Sequence, residues 1–275
     1  MAGETARALE EALSITRAAG DLQLGAFGGP VATSTKRSPS DLVTEVDLAS
    51  ERLVRDRLAT AFPDHVVVGE EQGGAVTDDG PVWYVDPVDG TTNFAHGHPW
   101  FSISLALFRD GQPEVGVVHA PALALTFAAA RGQGATRNGR PCRVSSVTDI
   151  ERSLLATGFG SRRATRPDNN YREFVALDGW SHGVRRCASA ALELAHVAAG
   201  AYDGFWDDGL GPWDLAAGVL LIREAGGTVS ARDGGPFRLA GGGVVATNGP
   251  LHTNLLAALD RARRSSPPVE VPARG

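Results

Sequence analysis

Two cysteines, Cys142 and Cys187, are too few for a disulfide framework in a chain of 275 residues, and neither sits in a CxxC or zinc-finger spacing. Free thiols in a reducing compartment are the expectation. No stretch approaches the ~20 apolar residues needed to span a bilayer. The N-terminal run Met-Ala-Gly-Glu-Thr-Ala-Arg-Ala-Leu-Glu-Glu is charged and amphipathic and lacks the apolar core of a signal peptide. These absences predict a cytoplasmic protein with no membrane partner. An excess of positive charge is also missing: the formal net charge is -6, which argues against a surface built to attract nucleic-acid phosphates. A phosphorylated small substrate stays open, because a bound metal reverses the local sign. Hydrophobic residues at 43% and charged residues at 21% are ordinary for a soluble enzyme with ample core.

The most informative stretch runs from Trp83 to Phe94, Trp-Tyr-Val-Asp-Pro-Val-Asp-Gly-Thr-Thr-Asn-Phe. Its apolar start predicts a buried strand over Val82 to Val85, with a loop over Pro87 to Thr92. Asp86 and Asp89 then lie beyond the carboxyl end of a strand, where ligands of layered α/β proteins bind. Two carboxylates this close repel and raise at least one pKa unless a cation lies between them. Mg²⁺ is suited to the task, since it takes oxygen ligands and retains waters. Pro87 stiffens the link between the acids, and Gly90 lets the backbone pass close to a ligand. Thr91, Thr92 and Asn93 read as a helix start whose N–H groups could hold an anion. A bare Asp-Gly-Thr also fits an Asx-type turn with Asp89 as a helix cap.

The full string Asp86-Pro87-Val88-Asp89-Gly90-Thr91-Thr92 resembles the signature of the inositol monophosphatase family, Mg²⁺-dependent and lithium-sensitive phosphomonoesterases. Three further stretches resemble it in the right order. Residues from Lys36 to Asp47 are similar to the family's second motif, in which the aspartate at position 47 pairs with the first threonine after the metal loop, Thr91, and Lys36 faces the site. The local alternative for Thr44 and Asp47 is a helix-capping box. His65 to Val68 is a short β-branched strand delivering Glu70 and Glu71. An extended chain can turn only one of these inward, and the resemblance selects Glu70. Trp213 to Gly218, followed by Glu224-Ala225-Gly226-Gly227, resembles the C-terminal signature whose aspartate, Asp214, is a metal ligand; on local grounds alone an Asp in a first helical turn serves the helix dipole.

Around these motifs the periodicity predicts a packing helix over about 4 to 27 stopped by Gly28-Gly29-Pro30, and an amphipathic helix over about 46 to 62. Antiparallel strands are expected at Phe101 to Phe108, Glu114 to Ala120 and Leu125 to Ala130, with a tight hairpin at Asn138-Gly139. His96, His98 and His119 lack a zinc-binding spacing. Past residue 150, strands are expected at Leu154 to Thr157, Asp203 to Trp206 and Val244 to Thr247. A helix capped by Ser189 should end at Gly200, another should run from Pro212 to about Ala225, and a closing helix should span Leu251 to about Ala262. Arg162, Arg163 and Arg166 read as a solvated basic loop, and 266–275 as a disordered tail.

The resemblance implies an α+β fold, a layered α-β-α-β-α sandwich, usually in a homodimer. It divides the chain into an N-terminal half, 1–148, with most metal ligands and a C-terminal half, 149–265, with Asp214 and the substrate pocket. It also implies that Glu70, Asp86 and the Val88 carbonyl hold one Mg²⁺, that Asp86, Asp89 and Asp214 hold a second, and that Glu70 shares a third. Asp47 and Thr91 would orient the attacking water, and amides of Gly90 and Thr91 would bind phosphate. The substrate pocket departs from the pattern: Asp207 stands where the family has a glutamate, and Ala188-Ser189-Ala190 where it has Gly-Thr-Ala or Gly-Ser-Ala. Inositol-1-monophosphatase is therefore accompanied by two alternatives, a histidinol-phosphate or broad sugar-phosphate phosphatase, and a non-enzymatic binding partner in transcription or ribosome assembly.

Overall fold

The computed structural model describes residues 2–35, 42–74, 77, 79–159, 169–241 and 243–265. Lys36, Arg162, Arg163, Arg166 and the tail 266–275 lie outside the described residues. Helix α1 (Ala2–Ala26) leads to a short antiparallel pair, β1 (Thr33–Thr35) and β2 (Leu42–Thr44), and then to α2 (Glu45–Ala61). There follow β3 (Val66–Gly69), β4 (Pro81–Asp89), the single turn α3 (Thr91–Ala95), β5 (Ser102–Arg109), β6 (Gln112–Ala120), β7 (Leu125–Ala130), β8 (Ala135–Arg137) and β9 (Arg140–Cys142). β3 to β9 form one seven-stranded sheet in sequence order, in which only the first pair is parallel. The C-terminal half adds β10 (Leu155–Thr157), α4 (Tyr171–Trp180), β11 (Val184–Arg185), α5 (Ala190–Ala198), β12 (Gly204–Asp207), α6 (Pro212–Glu224), β13 (Thr228–Ala231), β14 (Val244–Thr247) and α7 (His252–Ser265). Its sheet has the order β11-β10-β12-β14-β13.

Alternation along the strands sets the layers. Trp83, Val85, Ile103, Leu105 and Leu107 point to an outer face and pack on Ala8, Ala12, Ile15, Val54 and Leu58 of α1 and α2. Val82, Tyr84, Ala106 and Val118 point the other way, into a core shared with α5, α6 and residues of the second sheet such as Phe205 and Val244. The far face of that second sheet packs Leu155, Trp206 and Val245 against Leu177 of α4 and Leu255 and Leu259 of α7. The result is the expected α-β-α-β-α sandwich. The central helices approach closely because their contact residues are small: a methyl on Gly116 of β6 would lie 3.0 Å from Ala217 of α6, and one on Gly218 would lie 2.6 Å from Leu194 of α5.

Two expectations need correction. β4 does not stop at Val85 but continues through Asp89, because a one-residue bulge between Asp86 and Asp89 lets Asp89 pair with Ser102. Ser189 stands at the N-cap of α5 but makes no capping bond there, since its hydroxyl donates to Asp89 instead. Helix α4 and strands β11 and β13 were not anticipated from periodicity.

Candidate active site

Parallel pairing of β3 with β4 places Gly69 opposite Val85, so the next residues of both strands, Glu70 and Asp86, emerge side by side. The first turn of α6 brings Asp214 to the same point, where Gly211 N–H donates to Asp214 Oδ2 at 2.6 Å. Glu70, Asp86 and Asp214 each offer an oxygen, and these oxygens lie within 4.8 Å of one another. Burial pushes the Asp86 carboxyl well above the usual range, and the negative charges of Glu70, Asp89 and Asp214 push it further. Asp214 is raised by the same causes, burial first and then Glu70 and Asp89. A cluster of hard oxygen donors that repel one another is the environment a divalent cation stabilises, so the residues fit Mg²⁺.

Residues distant in the chain hold these carboxylates. Glu51 of α2, wholly buried, accepts the backbone N–H of Glu71 at 2.8 Å and of Gln72 at 3.2 Å, and pairs with Arg55 at 2.7 Å. It thereby sets the turn that presents Glu70. Glycine at position 69 lets the Glu51 carboxylate sit against the backbone, since a methyl there would lie in contact with it and force it to move. From α1, the buried Gln23 donates to the Pro87 carbonyl at 2.7 Å and steadies the link between Asp86 and Asp89. The Val88 carbonyl accepts the Thr91 hydroxyl at 3.0 Å, and the Val88 N–H donates to Asp86 Oδ1 at 3.1 Å.

Asp47 makes both contacts read from the sequence, the cap and the pairing with Thr91. Its Oδ2 accepts the Thr44 N–H at 2.9 Å and the Thr44 hydroxyl, completing the capping box of α2. Its Oδ1 accepts the Thr91 hydroxyl at 2.8 Å. Capping orients the carboxylate, and the remaining oxygen is left for the threonine of the metal loop.

Asp89 lies outside the group formed by Glu70, Asp86 and Asp214. It sits at the N-terminus of α5, where Oδ1 accepts Ala190 N–H at 2.9 Å and Oδ2 accepts Ala191 N–H at 2.9 Å, the Ser189 hydroxyl at 2.6 Å and the Ser102 hydroxyl at 3.2 Å. The helix dipole and these donors stabilise its charge against the burial that raises its pKa. The same contacts fix Ser189 and Ala190 beside the metal loop. Ala188 has φ of 60°, the left-handed region where glycine is the usual residue, and Gly90 has φ of 102°. A methyl on Gly90 would lie 3.0 Å from the Trp100 carbonyl and 3.2 Å from that of Ala188, so the loop and the 188–190 segment are in close register. Asp207, buried at the end of β12, accepts Asp208 N–H at 2.5 Å, and burial lifts its pKa to about 7.

Sequence reasoning had not singled out Glu51, Gln23, Ser102, Asn93 as a clamp, or Glu193. The glutamate preceding Arg55 by four residues was the sole available hint, and it reads equally as a surface ion pair. The histidines do not assemble: His119 Nδ1 lies 2.9 Å from the Thr126 hydroxyl, and Glu70, Asp86 and Asp214 are the one potential metal-ligating group among the described residues.

Comparison with known proteins agrees with this geometry. The profile of the inositol monophosphatase family matches residues 5–264. An inositol-1-monophosphatase from Synechocystis is 43% identical over 252 residues, covering 91% of this chain and 88% of the relative. The Nus factor SuhB of Pseudomonas aeruginosa is 42% identical over 258 residues, covering 91% and 95%. Among solved structures, the inositol monophosphatase from Anabaena superposes with a TM-score of 0.85 at 43% identity, covering 95% of this chain and 96% of that one. The chain belongs to the inositol monophosphatase family and is a phosphoric monoester hydrolase.

Proposed function

We propose that the protein is a Mg²⁺-dependent, Li⁺-sensitive phosphatase that hydrolyses inositol 1-phosphate or a closely related polyol phosphate, acting as a cytoplasmic homodimer. The convergence of Glu70, Asp86 and Asp214 within 4.8 Å carries this reading. These side chains, with the Val88 carbonyl and Asp89, would hold two or three Mg²⁺ ions. When bound, the metal supplies Lewis-acid polarisation of the phosphate and lowers the pKa of a ligated water.

The chain's own groups supply orientation and proton handling. Thr91 Oγ1 donates to Asp47 Oδ1 at 2.8 Å, which leaves a lone pair able to accept a hydrogen bond from a water beside the loop; a proton leaving that water would move to Thr91 Oγ1 as the Thr91 proton passes to Asp47. Asp47 also accepts bonds from Thr44, which keep it aligned. The amides of Gly90 and Thr91 open the turn of α3 and have no acceptor within it, so they are offered to phosphate oxygens. Asp207 and the 188–190 segment face the alcohol portion. Both cysteines are free, as suits a reducing compartment, and no helix among the described residues is long and apolar enough to cross a membrane. The homodimer rests on the family resemblance.

The test is phosphate release from inositol 1-phosphate, histidinol phosphate, fructose 1,6-bisphosphate and a 3′-phosphonucleotide, with Mg²⁺ and with added Li⁺. Fast, Li⁺-inhibited turnover of inositol 1-phosphate is expected. Preference for another ester would retain the metal chemistry and replace the substrate. A second reading, a regulatory binding partner, is favoured by the 42% identity to a protein named as a Nus factor. It would take precedence if no ester were cleaved.

A further inference from the structure

The segment Cys187–Ala190 is held from both ends, and one of its holders has no part in the chemistry described above. Glu193 is 1% exposed and reaches back from the first turns of α5, so that its Oε1 accepts the Cys187 N–H at 2.7 Å. On the other side of the same residue, the Asn93 amide donates to the Cys187 carbonyl at 2.7 Å and to the Trp100 carbonyl at 2.7 Å. Cys187 is thus gripped at its N–H and at its C=O, and the next residue, Ala188, adopts φ of 60°. A non-glycine residue in that region is strained and persists only where its surroundings over-determine it. One residue further on, Asp89 takes the Ser189 hydroxyl and the Ala190 N–H.

Glu193 is an expensive residue to place here. Its acid is desolvated and lies near the charges of Asp89 and Asp207, all of which favour the protonated form. A leucine would fit an apolar helix such as α5 better, unless the oxygen itself is needed. The bond to Cys187 N–H supplies the need: without it that N–H loses its acceptor, and the hold that opposes relaxation of Ala188 to negative φ is weakened. Such relaxation would carry the Ala188 carbonyl away from Gly90, which it now approaches closely.

We infer that Glu193 is a positioning residue for substrate selectivity: with Asn93 it clamps Cys187, holds Ala188 in its left-handed turn, and so fixes the 188–190 segment against the alcohol part of the substrate. This rests on the proposal that the segment faces that part. Glu193 acts through the Cys187 N–H and is not among the groups proposed to hold metal or phosphate, so its removal acts on recognition of the alcohol and not on cleavage of the ester.

The experiment compares inositol 1-phosphate with phenyl phosphate, an ester lacking a polyol, for wild type, Glu193→Ala, Glu193→Asp and Glu193→Gln. Loss of one orienting hydrogen bond in Glu193→Ala is expected to raise KM for inositol 1-phosphate about tenfold with kcat within about threefold, while KM for phenyl phosphate shifts less than about threefold. Glu193→Gln, whose side-chain carbonyl can accept the same N–H, restores the wild-type ratio. Glu193→Asp withdraws the acceptor by one methylene, retains a buried acid and gives an intermediate ratio; it decides the matter if Glu193→Ala does not fold. Equal changes on both esters, a loss confined to kcat, or failure of Glu193→Gln to restore the ratio would overturn the inference. Wild type that cleaves phenyl phosphate but not inositol 1-phosphate would instead remove the substrate reading, and the clamp is then judged by the same split on the polyol ester the enzyme does prefer.

Discussion

Asp86 accepts the Val88 N–H, is 2% exposed, and stands amid three other carboxylates. Under the proposed function its charge would serve a metal, while in the metal-free fold it is a liability, because buried like charges are costly without a counterion. Asp86→Asn removes that charge and can retain the bond from Val88. It should abolish Mg²⁺-dependent turnover while raising the stability of the metal-free protein by on the order of 1 kcal/mol. Denaturant melts in EDTA beside an activity assay check both halves; a mutant that is inactive and less stable would show that Asp86 is needed by the fold itself. The same scale shows where local reading stops. For Thr44 and Asp47 a cap and a pairing with Thr91 read as competing alternatives, yet a carboxylate has two oxygens: Oδ2 takes the cap and Oδ1 takes the Thr91 hydroxyl. For Asp89, likewise, the helix-cap alternative is realised, but on α5, which begins a hundred residues later in the chain.

Elements were legible wherever their pattern was local. α1, α2, β5 to β7, the Asn138-Gly139 hairpin, α6 and β14 stand close to where alternation, helical period and turn residues place them. The turn holds both Asn138 and Gly139 at positive φ, as a tight hairpin requires. The extension of β4 was illegible because a bulge is defined by the partner strand, and the partner residue Ser102 is not in the motif. Glu51, Gln23 and Glu193 were illegible for a related reason: each is a polar residue on a helix, unremarkable until the fold brings a distant backbone N–H or C=O to it. The close crossing of α5 over α6 gives a test at this scale. Gly218→Val would drive a branched side chain into Leu194, which α5 and the sheets leave no room to avoid. A loss of about 2 kcal/mol or more in chemical denaturation is expected, with activity of the folded fraction lowered because α6 also carries Asp214. A loss below about 0.5 kcal/mol would mean that the helices separate freely.

At the scale of the whole molecule, buried acids link stability to pH. Asp207 has a folded pKa of about 7 against an ordinary 3.8, so the folded state binds its proton more tightly than the unfolded state. That contribution is fully present below the ordinary value and is lost as pH rises toward 7, at up to about 1.4 kcal/mol per pH unit for a single group. Asp86, Asp214 and Glu193 are raised too and act with the same sign. In EDTA, therefore, Tm should fall between pH 5 and 7, and Asp207→Asn should flatten the slope. Added Mg²⁺ binds the ionised carboxylates, so the Tm gain it confers should grow with pH over the same interval. A metal-free Tm that rises across that interval would contradict this account.

The core shared by the two sheets has a temporal consequence. The inner face of the seven-stranded sheet is covered by α5 and α6, which follow it in the chain. β9 ends at Cys142 and α6 at Glu224, so during synthesis the finished sheet must wait for roughly 80 more residues, on the order of 4–16 s at ordinary translation rates. For that interval Val82, Tyr84, Ala106 and Val118 have no lasting partner. A fragment ending at residue 148 freezes that moment, and it should aggregate or be retained by chaperones when expressed alone. The clustered carboxylates are divided along the same line, Glu70 and Asp86 before the pause and Asp214 after it. A nascent chain therefore cannot assemble the full carboxylate cluster until the helix that seals its core has left the ribosome.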